Sequence, residues 1–157
     1  MKYVEKREDL FKVPADQYVL AHCISADFAL GAGIAKKIDT MFGVKDKLNE
    51  HHSGLSLDER KNIGCFMVPV HVDPVTGKVF GMVLNIVTKL HYFEKPTYQT
   101  LRHGLMCMKE LCLSLNIDKI AMPTIGCGLD KLEWSKVSEI IKDVFNDTDI
   151  EILICIH

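Results

Sequence analysis

At 157 residues, 48% of them hydrophobic, the chain is the size of one domain and has enough apolar residues to bury a core. Its formal charge of −2, a pI near 6.4 and the absence of any Lys/Arg run longer than two argue against holding nucleic acid by its phosphates. No stretch approaches roughly eighteen consecutive apolar residues, and MKYVEKRED lacks the apolar core of a signal peptide; the expectation is an intracellular monomer, cytoplasmic or nuclear, without membrane contact.

Residues Lys2 to Lys6 alternate as a short strand does, and Glu8-Asp9-Leu10-Phe11 leads to Pro14, which places Asp9 in a turn or loop. Tyr18 to Ile24 is apolar except for His22, the pattern of a central strand covered on both faces. The loop Leu30-Gly31-Ala32-Gly33-Ile34-Ala35 follows, after which Ile34, Ile38, Met41 and Phe42 recur at helical spacing until Gly43. A second short helix runs from Val44 to about His51, and polar Asn49 to Asn62 reads as a surface connection or a lid. Two runs, Ile63 to Val72 and Lys78 to Thr88, flank Asp73-Pro74-Val75-Thr76-Gly77 and predict an antiparallel hairpin.

From Thr97, the positions Tyr98, Leu101, Leu105, Met108, Leu111, Cys112 and Leu115 trace one helical face, which Gly104 weakens without breaking. Asp118 to Met122 predicts a strand, Val137 to Phe145 an amphipathic helix, and Ile150 to Ile156 another buried strand. Between the first two lies a second glycine loop, Met122 to Asp130. Gly126 and Gly128 there, like Gly31 and Gly33 upstream, can aim backbone N–H groups at an anion, and two such loops could grip one diphosphate.

Familiar motifs fail. The third glycine of G-x-G-x-x-G would fall on Lys36, and no phosphate loop of the G-x-x-x-x-G-K-[ST] kind occurs, so a dehydrogenase or nucleoside triphosphatase is not indicated. Six cysteines without zinc spacing predict reduced, buried thiols, and Cys127 has no adjacent base or cation to make it a nucleophile. His51-His52 on a polar loop read as solvated residues, and neither metal nor cofactor is expected.

Together, Asp9-Leu10-Phe11, Ala21-His22-Cys23-Ile24-Ser25, Gly31 to Ala35, Thr88-Lys89, Lys95-Pro96-Thr97-Tyr98, Met122-Pro123 and Ile125-Gly126-Cys127-Gly128-Leu129-Asp130 resemble the macro domains, within them the terminal ADP-ribose protein glycohydrolase branch. The resemblance covers nearly the whole chain. It implies a single three-layer α/β/α macro domain with a mixed, roughly six-stranded central sheet and an ADP-ribose cleft above the strand ends. It also implies a hydrolase that removes mono-ADP-ribose from acidic side chains of proteins and deacylates O-acetyl-ADP-ribose. A non-catalytic reader, a phosphatase acting on ADP-ribose 1″-phosphate and a hydrolase of ADP-ribosylated DNA, the one way nucleic acid would enter as a partner, remain alternatives.

By the same resemblance Lys89 is the nucleophile and Asp130 the assisting acid–base group. Ligand contacts fall to Asp9 and Leu10 at adenine, to Ser25 at the distal ribose and to His157 on the adenosine side. His22, Cys23, Gly31, Ala32, Gly33, Ile34, Thr88, Pro123, Thr124, Ile125, Gly126, Cys127, Gly128 and Leu129 complete the set. Partial desolvation of Lys89 would favour its neutral amine, and close pairing with Asp130 the ammonium. Glu8 stands where many macro domains have glycine, and 49–62 and 73–78 look longer than in the resembled enzymes.

Overall fold

The computed structural model describes all residues, 1–157. Twelve elements follow one another: β1 (Lys2–Arg7), a 3-10 turn (Leu10–Lys12), β2 (Val19–Ser25), α1 (Gly33–Phe42), α2 (Val44–His52), α3 (Leu57–Ile63), β3 (Cys65–Val72), β4 (Val79–Lys89), α4 (Tyr98–Ser114), β5 (Lys119–Met122), α5 (Trp134–Phe145) and β6 (Glu151–Ile156). The strands form one sheet in the order β1-β6-β5-β2-β4-β3, with all neighbours parallel except the β3–β4 hairpin.

Alternation along the central strands builds two cores. Ala21, Leu84, Ile86, Ile120, Met122, Ile152 and Ile154 face α4 and α5, whereas Leu20, Ile24, Val83, Val87, Ala121, Leu153 and Cys155 face α1 and α2. Helices cover both faces of a mixed six-stranded sheet, as the resemblance implied. Gly104 is what seats α4: a Cβ there would lie 2.6 Å from Ile86 Cγ2 and 3.1 Å from Val87 O, so its absence lets the helix press on β4.

The region 49–62 departs from expectation. It is neither lid nor plain connection: α2 runs on to His52, and Ser56 starts α3 with a capping box, its Oγ accepting from Glu59 N while Glu59 Oε1 accepts from Ser56 N. His51 and His52 accordingly end a helix rather than ride a loop, and the His52 ring lies 4.5 Å from that of Phe66. Charged α3 has too few turns for its apolar pattern to register in the sequence. The thiols are all free, but Cys23, Cys107 and Cys127 are only partly covered.

Candidate active site

Five parallel strands end on one edge, at Arg7, Ile156, Met122, Ser25 and Lys89, and such carboxyl ends are where α/β sheets form their ligand crevices. A cleft of about 1000 Å³ opens there. Its walls include Lys89 and Asp130 together with His22, Cys23, Ser25, Gly31, Ala32, Gly33, Ile34, Pro123, Thr124, Ile125, Gly126, Gly128 and Leu129. Asp9, Leu10, Thr88, Cys127 and His157 stand outside it.

Each outlier has a local reason. Asp9 Oδ1 accepts from Phe11 N at 3.0 Å and caps the 3-10 turn whose first residue is the buried Leu10. An irregularity pairs Ser25 with Lys89 and skips Thr88, whose side chain is buried with its hydroxyl unpartnered. Cys127 turns its thiol onto Ile125 O at 3.3 Å, and burial raises its pKa and keeps it protonated. Exposed His157 follows β6 beside the end of β1, on the same sheet edge as Asp9.

Both walls offer unspent N–H groups. Ala32 caps α1 with no side-chain hydrogen bond, and the N–H groups of Gly31 to Ala35 find no backbone acceptor. On the opposite loop Ile125 N donates to Pro123 O and Cys127 N to Thr124 O, whereas Gly126 N and Gly128 N find no backbone acceptor. The floor carries the one charged pair: Lys89 Nζ donates to Asp130 Oδ1 at 2.7 Å, both side chains being mostly covered. A proton can pass along that contact, and a carbon atom placed beside Nζ would meet both groups.

Several residues in and beside the walls have no site role in the sequence analysis. Lys95 Nζ donates to Leu129 O at 2.6 Å and ties the segment after β4 to the loop carrying Asp130. Tyr92 and Phe93 stand exposed on the rim beside them. Asp27 Oδ1 accepts from Ser25 Oγ and Ala29 N, and its Oδ2 from Tyr92 N at 2.9 Å, so one carboxylate joins two walls. Two adjacent aromatics straight after an apolar strand, and an aspartate two residues past another, were the available signals.

His22 is buried against Asn85, with Nε2 2.6 Å from Asn85 Oδ1. Asn85 Nδ2 donates to Phe66 O and Val83 O, which fixes Oδ1 as acceptor, Nε2 as the protonated ring nitrogen and Nδ1 as an unpartnered lone pair. Burial lowers the His22 pKa from 6.5 to about 4, the Asn85 contact only partly opposing it. Because the folded value lies below the unfolded one, the contribution is intact above pH 6.5 and is lost as pH falls toward 4, by about 3 kcal/mol in all. Denaturant titrations at pH 7 and 4.5 are expected to show this loss, and His22→Asn to reduce it; equal losses in both proteins would refute the assignment.

The sheet order, the two helical layers and a cleft walled by glycine loops at the strand ends define a macro domain. No family model matches the chain, but individual proteins do. It is 37% identical to the ADP-ribose glycohydrolase OARD1 of Bos taurus over 147 residues, which is 93% of this chain and 86% of that protein, and equally to OARD1 of Homo sapiens. Its backbone matches the macrodomain of Thermus aquaticus DarG with a TM-score of 0.76 at 18% identity, covering 98% of this chain and 97% of the other. The chain belongs to the OARD1 family of macro-domain ADP-ribose glycohydrolases.

Proposed function

We propose that this protein cleaves the ester joining mono-ADP-ribose to a glutamate or aspartate side chain, inside the cell and as a monomer. The observation that carries this reading is the Lys89–Asp130 contact of 2.7 Å on the floor of the cleft. The Lys89 ammonium gives a proton to Asp130, and the amine so formed attacks the anomeric carbon of the distal ribose. A C–N bond forms, the C–O bond to the acyl group breaks, and the carboxylate leaves with the electron pair. The ring C–O bond then breaks as the nitrogen passes a proton to the ring oxygen, which gives a Schiff-base type adduct; water hydrolyses it to ADP-ribose and the Lys89 ammonium, and Asp130 releases its proton to solvent. The free N–H groups of both glycine loops would hold the diphosphate without a basic side chain. O-acetyl-ADP-ribose with its acetyl group on the anomeric oxygen would present the same bond with a smaller acyl group and should be a second substrate.

A glutamate-automodified protein, incubated with the native chain, is expected to release ADP-ribose, and calorimetry to register binding of the free nucleotide. Binding without release would leave a reader and end the hydrolase reading. Orthophosphate from ADP-ribose 1″-phosphate with no ester cleavage would point to a phosphatase, and release from modified DNA alone to a nucleic-acid substrate.

A further inference from the structure

Arg60 is a buried cation with no carboxylate partner. It sits in α3, only 7% exposed, with Nη1 donating to Ala26 O at 2.9 Å, Nε to Leu55 O at 3.1 Å and Nη2 to Ser53 O at 3.5 Å. Its guanidinium carbon lies 4.0 Å from the centroid of the Phe28 ring, which in turn meets Phe66 edge-on at 5.7 Å. Removing a charge from water is costly unless it is hydrogen-bonded, and here each guanidinium nitrogen donates to one carbonyl while the Phe28 ring supplies a π face.

What the guanidinium grips is the segment between β2 and the first glycine loop. Ala26 directly follows Ser25; Phe28 and Leu30 both adopt left-handed backbone, φ 55 and 42, although neither is glycine. Such conformations persist only where surrounding contacts impose them. Asp27 holds this bend from the cleft side, through Ala29 N and Tyr92 N, while Arg60 holds it from the helical layer through Ala26 and Phe28.

We propose that Arg60 is a positioning residue for the anion-binding wall: by clamping Ala26 and Phe28 it sets where the N–H groups of Gly31 to Ala35 point. The helix that fills the long connection thereby becomes part of the site's support. A planar fork that donates in three directions and stacks on a ring is required, and a lysine, with one point charge, cannot supply it.

The inference rests on ADP-ribose as the ligand, and calorimetry tests it with the native chain, Arg60→Met, Arg60→Lys and Phe28→Leu, alongside thermal unfolding. Leu48→Ala, a change in a fully buried α2 residue of the same core, supplies a comparably destabilised control. Arg60→Met is expected to weaken ADP-ribose binding at least tenfold, Arg60→Lys and Phe28→Leu by less, and Leu48→Ala hardly at all. Hydrogen exchange in Arg60→Met should rise within 26–34 while 123–131 stays as in the native protein. Should Arg60→Met fail to fold, Arg60→Lys and Phe28→Leu carry the same comparison. Native affinity in Arg60→Lys, or equal losses in Arg60→Met and Leu48→Ala, would overturn the proposal. If the native chain binds no ADP-ribose, the ligand reading fails and exchange within 26–34 alone decides on Arg60.

Discussion

Lys89→Ala is expected to lower the rate of ADP-ribose release from a glutamate ester by roughly 10³-fold or more, about 4 kcal/mol of barrier, while the protein still binds free ADP-ribose. The side chain is held at the end of β4 by the strand itself, and Asp130 Oδ1 is 2.7 Å from its Nζ. Lys89→Arg isolates the step that matters. Arginine preserves the cation and an ion pair with Asp130 but cannot lose a proton to become a nucleophile, so it should be as inactive as alanine. A variant that restored turnover with arginine would show the lysine to be electrostatic only.

Asp130→Asn tests the partner. It keeps the shape and a hydrogen-bond acceptor but cannot receive the proton, and a loss of roughly 10²- to 10⁴-fold is expected. Reductive trapping followed by peptide mapping in the mass spectrometer should place the sugar adduct on Lys89. An adduct on Cys127 would overturn the assignment of that thiol, which burial keeps protonated and which points at Ile125 O. Removing either charge strands the other in a mostly covered position, so Lys89→Ala/Asp130→Ala should be more stable than the less stable of the two single variants.

The sheet could be read from the sequence because its strands are apolar runs bounded by turns, and the parallel ones, covered on both faces, leave little room for other interpretations. Tyr18 to Ile24 illustrates this: its continuous apolarity placed it centrally, and it lies between β5 and β4. Lys89 and Asp130, 41 residues apart, meet only because β4 ends beside the loop after β5; spacing could not reveal this, and a family likeness was needed to name them. The part hidden from the sequence is what joins the walls. Asp27, Lys95 and Arg60 act through backbone carbonyls and N–H groups, whose positions no side-chain pattern encodes. Arg60 in particular sits in a polar stretch where burial would not be guessed, because its charge is satisfied by three carbonyls and a ring rather than by an acid.

Gly126 and Gly128 look interchangeable in the sequence, and their replacement by alanine is expected to weaken ADP-ribose binding about tenfold or more in each case, by different routes. Gly126 has φ +73, and a Cβ there would approach Leu132 Cδ1 to 3.0 Å while Gly126 O accepts from Leu132 N at 2.7 Å. Alanine in left-handed backbone costs roughly 1–2 kcal/mol, so Gly126→Ala should be less stable and its loop displaced. Gly128 has ordinary backbone, with nothing within 4 Å of an added Cβ, yet it lines the cleft and keeps its N–H unspent. A methyl group there enters the space the ligand is proposed to occupy, so Gly128→Ala should lose affinity at native stability. Thermal unfolding beside calorimetry separates the two. Native affinity in Gly128→Ala would mean that ligand does not approach this backbone closely, and the diphosphate would then have to be held by the Gly31 to Ala35 wall alone.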